Sequence, residues 1–419
     1  MTATEVRGPD LRLSLAVTGV AGAVLVVLAA VLVPWHWLPG GHVHAVPASS
    51  VFTAAEIDRA EHVSWLLRVP AWIGLAVSLA VALVLGATPL GARLVGLLRG
   101  PWPVRAFLAV GLVTLLGDLA TLVPDWRWQQ VDRHYGLSTQ SWGSWLSDQA
   151  LGFAITWVFT GVAVLALMAI ARRAPRSWPA WGAAAAMVLA VFGSFVYPVV
   201  VEPLFNRFTP MPAGPLRSDI LRLAAQEHVH IDDVLVADAS RRTTTLNAYV
   251  SGFGSTRRVV VYDTMIKDLP RREIEVVVAH ELGHARHQDV LVGTLLGAVG
   301  SGAGIGLLGV VLGRRRFVER TGSTGLADPR VVPALLMLSA VAAFVVSPVQ
   351  NTMSRAVEAR ADRASLAATG ETRVFVAMQR ELALHALADP TPPAWSQFWF
   401  GTHPTVLERI GLAEQLAGR

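Results

Sequence analysis

Seven apolar runs punctuate the chain, at residues 13–35, 70–90, 106–123, 151–171, 178–201, 290–312 and 331–349, and the only charged residue among them is Asp118. Each is close to the roughly 20 residues a helix needs to cross a bilayer. Arg7 and Arg12 precede the first run and Val46-Pro47-Ala48 follows it, as in a cleavable leader. Its length and the spans behind it identify it instead as a retained first helix. Thr53-Ala54-Ala55-Glu56 fits a capping box opening a short amphipathic helix through Leu67. Trp126, Trp128, Trp142 and Trp145 suit an interfacial belt. A carboxylate at the depth of Asp118 is costly, so it is expected either to face a watery interior or, the favoured reading, to find a structural partner.

The remaining polar stretches predict a small mixed domain. Leu216, Ile220, Leu223 and Ala224 recur with helical spacing, and residues 234–237 read as a strand. Residues 243–250 and 258–263 flank Ser251-Gly252-Phe253-Gly254-Ser255, a hairpin with a glycine-containing loop. A helix follows from Arg271, and residues 350–419 read as helical and soluble. The predicted organisation is a five-span membrane region (1–201), a soluble insert (202–289), spans six and seven (290–349) and a C-terminal helical region (350–419). The fold class is mainly α: a polytopic membrane protein of seven transmembrane helices with a small α+β domain. There is no internal repeat.

Composition agrees. The chain is 53% hydrophobic and 16% charged, with no cysteine, which excludes disulfides, thiolate metal sites and a cysteine nucleophile. The net charge is +5, and Lys267 is the only lysine; with abundant Ala, Val and Gly this marks a GC-rich, bacterial gene. The arginines cluster at the ends of apolar runs and form no stripe, so no nucleic-acid partner is expected. Arg7, Arg12, Arg93, Arg99, Arg105, Arg172, Arg173, Arg176, Arg314, Arg315, Arg316, Arg320 and Arg330 fall on one side of the seven spans. Positive-inside counting puts that side in the cytoplasm.

Chemistry enters with His280-Glu281-Leu282-Gly283-His284. On a helix, residues four apart share a face, so both imidazoles can bind one Zn²⁺ while Glu281 lies beside a water. A third protein ligand is needed. A histidine spaced as in H-E-x-x-H-x-x-G-x-x-H is excluded, because His287 and Val290 occupy those positions. His287 suits a supporting role better than ligation. Glu358 follows span seven, on the membrane face that bears His280 and His284, with Asp362 four residues on. Glu358 is therefore a candidate ligand and Asp362 a candidate partner for an imidazole N–H. An ordinary ion-paired helix would give the same pattern. His403-Pro404 by itself reads as a helix-start turn, and His36, His42 and His44, near Trp35 and Trp37, as interfacial side chains.

Separate blocks carry a broader likeness: Tyr135-Gly136-Leu137 with Asp148, Pro203-Leu204-Phe205-Asn206, Ser240-Arg241, Asn247-Ala248-Tyr249, Asp263-Thr264, the His280–His284 motif, Asn351, Ser354-Arg355, Glu358, Ala361-Asp362, and His403-Pro404 with Arg409. In order and spacing, over residues 52–410, the chain resembles the integral-membrane CAAX prenyl endopeptidases. That resemblance implies a zincin-type catalytic domain above a chamber enclosed by the spans. It implies one Zn²⁺ per chain held by His280, His284 and Glu358, with Glu281 as catalytic carboxylate and Asp362 supporting a histidine. It also implies that His403 and Arg409 hold substrate and oxyanion, and that Asn247, Ala248 and Tyr249 form the edge on which substrate is laid. The expected partners are a peptide or protein substrate and the lipid bilayer; the expected location is a bacterial plasma membrane, with the side of the catalytic domain left open. The rival readings are a quality-control protease for damaged membrane proteins and a non-enzymatic metal-handling protein.

Overall fold

The computed structural model describes residues 8–36, 43–252 and 254–418; Arg7, Trp37, His42 and Phe253 lie outside them. Helix α1 (Leu11–Leu32) is followed by α2 (Ala54–Ala87), which Thr53 and Glu56 open with a reciprocal capping box. The cap expected at Thr53 is present, but the helix it starts does not stop at Leu67. It continues through Pro70 as one element with the second span. Then come α3 (Pro89–Gly96), α4 (Trp102–His134), α5 (Trp142–Arg173) and α6 (Trp178–Val196). Much of the polar stretch after span three is thus helical. The belt tryptophans meet across the α4–α5 junction, with Trp126 and Trp142 stacked at 6.3 Å and Arg133 over Trp142 at 4.7 Å. Asp118 is exposed on α4 and has no ion-pair partner among the described residues, contrary to the expected pairing.

A π-type turn, Tyr197–Val201, leads into α7 (Glu202–Phe205). The insert continues with β1 (Phe208–Pro210), α8 (Pro215–Gln226), β2 (Asp233–Ala237), β3 (Ala248–Ser251), β4 (Arg258–Tyr262), α9 (Asp263–Asp268) and α10 (Arg271–Arg286). Its sheet runs β1-β2-β4-β3, with β2 parallel to β4 and the other pairs antiparallel, so β3 is an edge strand. The hairpin is shorter than its apolar pattern suggested. Residues 243–245 leave it to dock on the α4–α5 loop, where Thr244 donates to the Leu137 carbonyl at 3.2 Å. Ile220, Val259, Val261, Met265, Ile274, Val278 and Leu282 form the insert's core, which Phe375 and Met378 complete from the C-terminal region.

The chain re-enters the membrane with α11 (Asp289–Leu312), passes the short α12 (Arg315–Arg320) and returns as α13 (Val332–Thr369). Among the described residues, seven helical segments are long and apolar enough to span a bilayer. The expected division at residue 349 falls inside α13. Glu358 stands about 39 Å along that helix at 1.5 Å per residue, beyond the roughly 30 Å of hydrocarbon. The last span is therefore a long helical arm, continuous through Pro348, that delivers Glu358 to the soluble side. After it come α14 (Thr372–His385), α15 (Ala394–Phe400) and α16 (Val406–Ala417). α15 is not simply part of a soluble region: Trp399 stacks on Phe344 of α13 at 4.7 Å and Trp395 meets Trp72 of α2 at 4.6 Å. Both partners belong to apolar runs. From there the chain climbs α13, as Asn351 donates to the Trp399 carbonyl at 2.6 Å and Arg355 to that of Gly401 at 2.6 Å.

Candidate metal centre

Pro270 starts α10, and its apolar face (Ile274, Val277, Val278 and Leu282) is buried in the insert's core. The neighbouring face meets α13: Ser365 donates to the Val276 carbonyl at 2.7 Å. Crossing there sets His280 and His284 over the turn of α13 that carries Glu358. His280 Nε2 lies 3.2 Å from Glu358, and His284 Nε2 lies 3.5 Å from its other oxygen. The two Nε2 atoms are 3.1 Å apart. One ligand atom from each of these three residues fits within 4.8 Å of the others.

Each imidazole is held from behind. His280 Nδ1 is 2.9 Å from Asp362, and His284 Nδ1 is 2.8 Å from Asp289. A carboxylate at each Nδ1 keeps the proton there and turns both Nε2 lone pairs toward the Glu358 carboxylate. Three electron-rich atoms so converged repel one another unless positive charge lies between them. That donor set fits a dication. Without one, a proton takes its place: burial opposes charge on His280, but hydrogen bonds with Asp362 and Glu358 outweigh it and raise the pKa to about 10. Burial also raises Glu281, against the pull of His280 and His284.

Two further residues arrive from the C-terminal region. His403 Nε2 stands 3.3 Å from Glu358 on the exposed side of the cluster, and its Nδ1 is 2.9 Å from the Thr402 hydroxyl. Burial lowers its pKa, which favours the neutral ring. Arg409 stands elsewhere. Its Nε donates to Asp362 at 2.8 Å, and its guanidinium is mostly buried behind His280. His403 is therefore placed where a substrate could be met, and Arg409 is committed to a carboxylate.

Of the residues expected at an edge, Asn247 is exposed, Ala248 is buried and Tyr249 is half-buried. The Asn247 carbonyl accepts from Tyr262 N–H at 3.0 Å, so the peptide groups of Ala248, one residue on, face the free edge. β3 packs beside α10. His287 is not in the cluster; its ring bonds the Gly283 carbonyl at 2.8 Å. Sequence reasoning missed Asp289 and Arg360, whose side chains pair behind His284. The only signal was a charge pair placed at the starts and ends of spans.

A soluble helix bearing two histidines, set against an extended span bearing a glutamate, defines a membrane-embedded metallopeptidase architecture. Comparison with known proteins agrees. Residues 210–417 match the model of peptidase family M48, and residues 64–207 match that of the CAAX prenyl protease N-terminal region with five membrane helices. The chain is 32% identical over 320 residues to the uncharacterized metalloprotease YhfN of Bacillus subtilis, covering 75% of each protein. It is 31% identical over 245 residues to a CAAX prenyl protease 1 homolog of Oryza sativa subsp. japonica, covering 56% of this chain and 55% of that one. The crystal structure of S. mikatae Ste24p shares the fold, with a TM-score of 0.79 at 17% identity over 96% of this chain and 99% of that one. The chain belongs to peptidase family M48. It is a multi-pass membrane metalloprotease, an enzyme that acts on peptide or protein substrates with a metal cofactor.

Proposed function

We propose that the metal is Zn²⁺, one per chain, held by His280, His284 and Glu358, and that the enzyme is an endopeptidase of extended segments. The convergence of two imidazole Nε2 atoms and one carboxylate, each imidazole backed by a carboxylate, carries this reading. When bound, the ion polarises the scissile carbonyl and acidifies a water. Glu281 takes the attacking water's proton and returns it to the leaving amine. Neutral His403 donates from Nε2 to the oxygen that gains charge at the carbonyl. Asp362 fixes the tautomer of His280, and Arg409 fixes Asp362, so Arg409 acts through another residue and not on the substrate.

The free edge of β3 supplies the substrate's backbone partners, with Ala248 presenting its peptide groups and Asn247 and Tyr249 bordering them. Such pairing is nearly blind to side chains. It suits flexible segments, C-terminal CAAX-like tails among them, and excludes folded domains. The same edge would accept loosened segments of damaged membrane proteins, which keeps quality control as the alternative; family membership sets the metal-handling reading aside. The four-part organisation serves this chemistry: 1–201 forms most of the membrane region, 202–289 brings the histidines, and 290–349 with 350–419 bring Glu358 and His403. The bacterial relative supports a plasma-membrane location, with the arginine-rich end in the cytoplasm. The experiment that tests this reading is metal analysis together with peptide cleavage by purified wild-type, His280→Ala, His284→Ala and Glu358→Ala proteins in nanodiscs. The three variants should lose both metal and activity.

A further inference from the structure

Helix α10 ends at Arg286, and the chain does not run straight on into span six. Gln288 adopts the left-handed conformation, with φ 56° and ψ 38°, before Asp289 begins α11. In an unbroken helix, a residue five positions on points about 140° away from the first. The left-handed break folds Asp289 back instead, and one carboxylate oxygen meets His284 Nδ1 at 2.8 Å. The other oxygen accepts from the Arg360 guanidinium, and the Asp289 side chain is only 9% exposed. Arg360 lies on α13, two residues beyond Glu358. A left-handed non-glycine residue costs backbone energy and persists where the surroundings hold it. Here it lets the first residue of a membrane span hold a histidine of the soluble helix.

The arrangement repeats what stands behind His280, where Arg409 holds Asp362 and Asp362 meets the imidazole.

We propose that Asp289 is a positioning residue of the metal centre. It keeps the proton of His284 on Nδ1 so that Nε2 presents its lone pair, and Arg360 locks the carboxylate in place. The pair thereby yokes the centre to spans α11 and α13. This inference rests on His284 being a ligand.

The test is Zn²⁺ titration by competition with a chelator, and the visible spectrum of the Co²⁺-loaded protein, on full-length protein in nanodiscs. Asp289→Ala should weaken Zn²⁺ binding about 10–100-fold and alter the Co²⁺ spectrum, while the unfolding temperature of the metal-free protein stays near wild type. Asp289→Asn keeps an acceptor and should lose less, and it serves if the alanine variant does not fold. Arg360→Gln should weaken binding too, and the double variant Asp289→Ala/Arg360→Gln should be no weaker than Asp289→Ala alone. Folded Asp289→Ala or Asp289→Asn protein with wild-type affinity and Co²⁺ spectrum would overturn the proposal. His284→Ala separates the two readings: if it bound Zn²⁺ normally, the ligand assignment itself would fail.

Discussion

Gly283 and Ala364 meet so closely that a Cβ added to the glycine would lie 2.9 Å from that of the alanine. This contact lets α10 cross α13 without a side chain between them, and so sets the reach from the histidines to Glu358. Glu358→Ala should leave the helices packed and remove a metal ligand. Metal analysis of the purified variant should find the site largely empty at stoichiometric Zn²⁺. One tightly held ion per chain in that variant would mean that another residue supplies the third ligand.

Metal binding should depend steeply on pH. With a pKa raised to about 10 in the metal-free protein, His280 holds its extra proton at neutral pH. Binding must expel it, so affinity should rise about tenfold per pH unit through neutrality and level off as pH passes that value. Calorimetry in two buffers of different ionisation enthalpy counts the protons released. At least one is expected at pH 7, and none would contradict the geometry behind His280.

The edge of β3 can be tested without touching a ligand. Ala248→Pro removes an outward-facing N–H and no bond to β4, because the neighbouring Asn247 carbonyl makes the ladder contact. Cleavage of an unstructured reporter peptide should fall mainly through a higher KM, with zinc content unchanged. Wild-type kinetics from a folded variant would exclude backbone pairing at this strand.

The proposed orientation rests on where the exposed arginines stand. Arg93, Arg99, Arg173 and Arg314 to Arg316 lie at the end of the bundle away from the metal centre. The chain has no cysteine, so single cysteines report cleanly. In intact bacteria a membrane-impermeant maleimide should label Asp232→Cys in the insert and spare Arg316→Cys; the reverse pattern would place the catalytic side in the cytoplasm.

The spans and the histidine pair were legible because both are local patterns: an apolar run of fixed length and an i,i+4 spacing. Glu358 was legible from topology, since the hairpin of spans six and seven returns it to the same face. Asp289 was not. Five residues from His284 it belongs on another face, and only the left-handed Gln288 brings it back. Strand β1, three residues ending in Pro210, carries no alternation to read. The seven residues of α15 were too short to register as a membrane-level element, although Trp395 and Trp399 each meet an aromatic ring of a span. Arg409 was placed near the centre by resemblance, yet its partner is Asp362, a relationship only tertiary structure can show.

The central claim is that a carboxylate beside a metal-bound histidine pair performs the proton transfer, and Glu281→Gln isolates it. The substitution keeps size and removes the base. Purified Glu281→Gln protein, assayed for zinc and for single-turnover cleavage of an unstructured peptide, should retain one Zn²⁺ per chain while kcat falls by about 10²–10⁴-fold or more. Full zinc occupancy with turnover near the wild-type rate would contradict the account.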